Sequence, residues 1–109
     1  MTKPLRILDD VAERDIPGII AYHQPRSATK AAAILAEYDR VVERLRDNPL
    51  IARVRPHGWR VCIFQSGVYA LYYRETADAW LVAGVFHAGR DPDWIQAQLV
   101  IRDARETGL

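Results

Sequence analysis

Val68-Tyr69-Ala70-Leu71-Tyr72-Tyr73-Arg74 and Trp80-Leu81-Val82-Ala83-Gly84-Val85-Phe86-His87 decide how this chain folds. Both runs are rich in aromatic and β-branched residues, and the short polar link Glu75 to Ala79 joins them, which predicts an antiparallel hairpin. The second run is apolar until His87, as a central strand is. Ala88-Gly89-Arg90-Asp91-Pro92 comes next, so His87 and Arg90 place two phosphate-capable groups at one end of a sheet.

Working backwards, Trp59 to Gln65 reads as a third strand, with Ser66-Gly67 as a tight hairpin turn before Val68. Alternation puts Trp59, Val61 and Ile63 on one face and Arg60, Cys62 and Phe64 on the other. Earlier still, Ala31, Ile34, Leu35, Tyr38, Val41, Val42 and Leu45 repeat at threes and fours, predicting a helix capped by Ser27 or Thr29 and ended by Asn48-Pro49. Before it, Val11 to Tyr22 is helical in pattern through Val11, Ala12, Ile16, Ile19 and Ile20. Pro17-Gly18 predicts a kink there, or a restart with Asp15 as cap. Leu5 to Leu8 makes a short first strand, with Asp9 or Asp10 capping the helix after it.

Downstream, Asp91-Pro92 pairs a cap with proline at the first helical position, and opens a last helix through Trp94, Ile95, Leu99 and Ile101. Its apolar arc is wide enough to need covering by its own sheet or by a partner. The order is β-α-α-β-β-β-α. This predicts an α+β fold, with a helical hairpin on a mainly antiparallel four-stranded sheet and a C-terminal helix.

At 109 residues the chain is long enough for one domain with a real core, over residues 1–109. Fifteen basic and fourteen acidic residues leave a formal charge of +1, so bulk charge does not mark a nucleic-acid binder. Distribution says more. No acidic residue lies between Asp47 and Glu75, whereas Arg53, Arg55, His57, Arg60 and Arg74 do, which predicts one basic face. The single Cys62 excludes an internal disulfide, fits a reducing, cytoplasmic setting and reads as a small core residue. The N-terminus has no secretion-signal pattern, and no apolar run approaches a membrane span, so no membrane association is expected. His23, His57 and His87 with Cys62 lack metal-ligand spacing, and no metal or other cofactor is expected.

This order, Gly58-Trp59-Arg60, the Val-Tyr-Ala-Leu-Tyr-Tyr-Arg strand and the ending Val85-Phe86-His87-Ala88-Gly89-Arg90-Asp91 together resemble the RelE/ParE superfamily, the toxins of type II toxin–antitoxin systems. The resemblance covers nearly the whole chain. It implies a small intracellular growth inhibitor held inactive by a cognate antitoxin, which wraps it with a segment that folds on binding. Operator DNA would be engaged only through that antitoxin.

The superfamily divides by target. RelE-like members cut mRNA on the ribosome, and ParE-like members inhibit DNA gyrase. Cleavage through a 2′-hydroxyl needs a base, an acid and cations around the phosphate. His87 could serve as acid or base, with Arg60, Arg90 and one of Arg53 and Arg55 on the phosphate. Against this, RelE-like nucleases carry lysines before the sheet and a tyrosine near the C-terminus. Here the lysines are Lys3 and Lys30, both expected far from the sheet, and the last tyrosine is Tyr73. The ParE-like branch is the better fit. Antitoxin or target binding then falls to Arg53, Arg55, Arg60, Arg90 and Trp94. A third reading is a non-toxic binding module that acts only with its antitoxin.

Bland readings stand beside these. His87 also reads as a strand-end residue bonding locally, and Tyr69, Tyr72 and Tyr73 as core or cross-strand aromatics. Arg60 and Arg74 are placed to pair with Glu75 or Asp78, and Arg90 to order the turn into the last helix.

Overall fold

Seven consecutive buried residues, Trp80 to Phe86, form the axis on which the molecule is built. The structure is a computed structural model and describes residues 3–106. Along the chain run β1 (Leu5–Ile7), a π-helical segment (Asp10–Asp15) leading into α1 (Ile16–His23), and α2 (Ala28–Asp47). Then come β2 (Arg60–Ile63), β3 (Tyr69–Glu75), β4 (Trp80–His87) and α3 (Pro92–Glu106). The sheet order is β1-β4-β3-β2, with β1 parallel to β4 and the other pairs antiparallel. The expected α+β order is the observed one.

Strand alternation sorts side chains into two cores. Leu71, Tyr73, Val82 and Val85 face the helical hairpin and pack with Val11, Ile34, Tyr38 and Leu45. Leu81, Ala83, Phe86 and Trp59 face the other way, where Ile95 and Leu99 of α3 cover them. The last helix is therefore covered by its own sheet along one stripe, while Val100 and Ile101 stay exposed.

A bulge interrupts β4. Tyr72 pairs with Gly84 and Tyr73 with Val82, leaving Ala83 as the extra residue. This is why Val82 and Val85, three apart, share a face. It also frees backbone groups just where β1 has ended, and two charged side chains take them up. Asp15 accepts the Val85 N–H at 3.0 Å, and Arg102 donates to the Ala83 carbonyl at 3.0 Å. The two bind each other through both guanidinium nitrogens at 2.7 and 2.9 Å, with each side chain only 7% exposed. This ion pair stands in for a missing stretch of edge strand.

Several local expectations change as a result. Asp15 does not cap α1, because its carboxylate is committed to Arg102 and Val85. The chain does not break at Pro17, the second residue of α1: helical backbone runs on from the π-helical segment, where the Ile16 N–H bonds the Val11 carbonyl. The π-helical segment moves the buried stripe onto Val11, Asp15 and Ile19 and leaves Ala12 exposed. Neither Asp9 nor Asp10 makes a side-chain cap bond; Asp10 instead receives Arg105 at 3.0 Å. Leu35 is 41% exposed rather than part of the buried face of α2.

Other signals act as expected. Ser27 caps α2 by accepting the Lys30 N–H, and Asp91 caps α3 by accepting the Asp93 N–H at 3.0 Å. The turn between β2 and β3 is longer than two residues. The Phe64 N–H reaches the Tyr69 carbonyl and the Gly67 N–H reaches the Phe64 carbonyl, with Gly67 at φ +75°. Gln65 leaves the ladder because its N–H binds the Glu37 carboxylate on α2.

Candidate functional site

His87 is the first exposed residue of β4, set there because Val68 and Tyr69 pair with the strand's end. Its Nδ1 accepts the Gly89 N–H at 3.0 Å, so a neutral ring carries its proton on Nε2. The His87 carbonyl accepts the Arg90 N–H at 3.0 Å, closing a turn that brings Arg90 round to α3. The Arg90 guanidinium lies 3.6 Å from the centre of the Trp94 ring. Trp94 in turn meets Phe86 edge-on at 5.4 Å, so the second core continues outward as Phe86, Trp94 and Arg90. Trp94 is thus half-buried, core on one side and arginine-covered on the other. This holds an exposed cation over an indole, an arrangement suited to a partner's carboxylate or phosphate.

Behind His87 the Tyr69 ring meets it edge-on at 5.7 Å, and the Tyr69 hydroxyl bonds His23 Nε2 at 2.8 Å. His23 closes α1 and is buried. The sequence placed no role on His23. Its burial, with Lys30 and then Arg26 nearby, lowers its pKa below the usual 6.5. A base with a depressed folded pKa binds protons more readily when unfolded, so stability falls as pH drops through 6.5 toward the folded value. Thermal melts at pH 7.5 and 5.5 are expected to show a lower midpoint at the acid value. His23→Gln, which keeps a partner for Tyr69 without a titrating ring, should reduce that difference; an unchanged difference would assign it to other groups. His57, in the connector, has its pKa lowered by partial desolvation and then by Arg55, and contributes equally to both proteins.

Arg60 belongs elsewhere. It pairs through β2 and β3 with the level of Val82, five residues from His87 along β4. That is about 16 Å along the strands and about 10 Å across two strand spacings. There its guanidinium binds the Ala52 carbonyl and lies 5.3 Å from the Trp80 ring, tying the connector to the first core. Tyr73 helps, donating its hydroxyl proton to the Pro49 carbonyl at 2.8 Å. Arg74 pairs with neither the Glu75 nor the Asp78 carboxylate; it reaches Asp103 on α3 at 2.6 Å. Glu75 is taken by Lys3 at 2.7 Å, so Lys3 is not remote from the sheet but sits at the end opposite His87.

Arg53, Arg55 and His57 are exposed in the connector, but the basic face expected from the acid-free window does not form whole, because Arg60 is bound to the Ala52 carbonyl and Arg74 to Asp103. Cys62 is half-buried against the first core, and burial pushes its thiol pKa up, away from nucleophilic character. Of the six residues singled out for binding or catalysis, the fold therefore brings together His87, Arg90 and Trp94. It sets Arg53 and Arg55 on the connector and Arg60 beneath it.

The Asp15–Arg102 pair is absent from the expectations drawn from sequence. A signal existed. Arg102 lies on the stripe of Ile95 and Leu99, and Asp15 on that of Val11 and Ile19. A charge on a buried stripe requires a buried partner.

A family model described as the ParE toxin of type II toxin–antitoxin systems, parDE, matches residues 7–92, from β1 to the first residue of α3. No curated protein matches the chain.

Proposed function

Since the chain belongs to the ParE toxin family of type II toxin–antitoxin systems, we propose that it arrests growth by binding DNA gyrase, with no catalysis of its own. As in that family, its protein partner is an antitoxin. Among the described residues, no helix is long and apolar enough to cross a membrane.

The observation that carries the gyrase reading is the distance between His87 and Arg60. A ribonuclease acting through the 2′-hydroxyl needs its acid, base and phosphate cations within hydrogen-bond reach of one another's substrate atoms. Here Arg60 is about 16 Å along the sheet from His87, and Lys3 lies at the far end. Arg90 remains, but it is stacked on Trp94. His87 is left as a local hydrogen-bond acceptor that orders the turn to Gly89.

Arg90 and Trp94 instead supply what a protein-binding surface needs, an aromatic anchor and a cation on a rigid strand-to-helix corner. His87→Ala expressed without antitoxin should therefore arrest growth as the parent does, while Trp94→Ala should weaken the arrest. Loss of arrest by a folded His87→Ala protein would move the assignment to mRNA cleavage.

A further inference from the structure

The guanidinium of Arg102 does more than close the bulge in β4. Its central carbon lies 4.9 Å from the centre of the Phe86 ring, within the range over which a cation is drawn to an aromatic face. Phe86 is also the ring that meets Trp94 edge-on at 5.4 Å, and Trp94 carries Arg90 at 3.6 Å. A continuous line of contacts therefore runs from the buried ion pair to the exposed corner, as Asp15, Arg102, Phe86, Trp94 and Arg90.

Spacing along α3 gives this line a mechanical meaning. Trp94 and Arg102 are eight residues apart on that helix, about 12 Å along its axis. Phe86 stands on β4 and reaches both, so its ring is seated between them as a wedge. Tyr72, with its ring centre 5.9 Å away, closes another side. A helix held through Ile95 and Leu99 alone could slide over the sheet, because apolar burial has no direction. The wedge stops sliding only if Arg102 is itself fixed. Two bonds to Asp15 and one to the Ala83 carbonyl, on the same strand as Phe86, hold its guanidinium in place.

We propose that Arg102, anchored by Asp15, is a positioning residue for target binding: through Phe86 it sets where α3 rests on the sheet, and so where Trp94 and Arg90 meet the partner. This rests on the reading of Arg90 and Trp94 as the contact with gyrase. A lysine at 102 would supply the charge but not the fork that bonds Asp15 and Ala83 at once.

The test uses the full chain, freed of antitoxin, at a temperature where the parent and every variant are folded. Two quantities are read: the Trp94 indole N–H resonance, and the protein concentration that half-inhibits gyrase supercoiling. Asp15→Asn keeps an acceptor for Val85 and Arg102 but removes the charge that fixes the guanidinium. It should shift the Trp94 resonance and raise the half-inhibiting concentration about three- to tenfold, the range for residues that act without touching the partner. Arg74→Ala breaks a different ion pair between the sheet and α3, the one to Asp103. It should lower stability yet leave both readouts at the parent's values. Phe86→Leu should raise the half-inhibiting concentration with the ion pair intact, and adding Asp15→Asn to it should change little further.

An unmoved Trp94 resonance in Asp15→Asn, parental inhibition by it or by Phe86→Leu, or fully additive effects in the double variant would overturn the proposal. So would an Arg74→Ala protein that moves both readouts as Asp15→Asn does, since loss of stability alone would then suffice. Unaltered inhibition by Trp94→Ala would overturn the gyrase contact on which the proposal rests, and a shifted Trp94 resonance in Asp15→Asn would tell that failure from a broken relay.

Discussion

Arg102→Ala is expected to destabilise the protein by about 3–5 kcal/mol, a large part of the total stability of a domain this size. The residue is 7% exposed and its removal leaves two groups without their partner, the Asp15 carboxylate and the Ala83 carbonyl. Asp15 would then keep a buried charge with one backbone donor, and that uncompensated charge dominates the cost. Urea denaturation of the parent and the variant measures it. Asp15→Ala should cost a comparable amount, and the double variant less than the sum, because the two residues act as one unit. A loss below about 1 kcal/mol for Arg102→Ala would put the pair in the class of surface ion pairs and remove it as the substitute for an edge strand.

Gly84→Ala should cost about 1–3 kcal/mol and disturb the Arg90–Trp94 corner at the same time. A Cβ at Gly84 would stand 2.4 Å from Phe86 Cε2 and 2.8 Å from Cζ. Phe86 is 6% exposed, with Tyr72 at 5.9 Å and Trp94 at 5.4 Å between ring centres, so the ring has little room to retreat. If it moves, it pushes on Trp94. The variant should therefore show both a lower denaturation midpoint and a changed Trp94 emission, and Phe86→Leu in the same protein should recover part of the stability. A Gly84→Ala protein as stable as the parent would mean the bulge relaxes freely.

The parts of this fold legible in the sequence are those set by period and punctuation. Trp80 to Phe86 is buried on both faces, so the apolar run of β4 is unbroken and its bounds are plain. Asp91-Pro92 and Ser27 are local chemistry, and both caps form as their sequence signals require. The departures share a cause. The sequence neighbours of Asp15, Arg74 and Arg102 say little about them, because their charged partners lie 29 to 87 residues away, on other elements. The bulge at Ala83 has no signature beyond two small residues, yet it decides what Asp15 and Arg102 are for. The candidate site is legible in half. Proximity of His87 and Arg90 comes from three residues of chain, whereas the separation of Arg60 comes from register, which alternation alone does not fix.

The central claim, that this toxin acts by binding rather than by cutting RNA, is most directly tested by DNA supercoiling with purified gyrase. Parent and His87→Ala proteins, freed of antitoxin and shown folded, should both stop supercoiling or cause cleaved DNA to accumulate, and to the same extent. Undisturbed gyrase in the presence of a folded protein that still arrests growth would contradict the account and return His87, Arg90 and Arg60 to the role of nuclease residues.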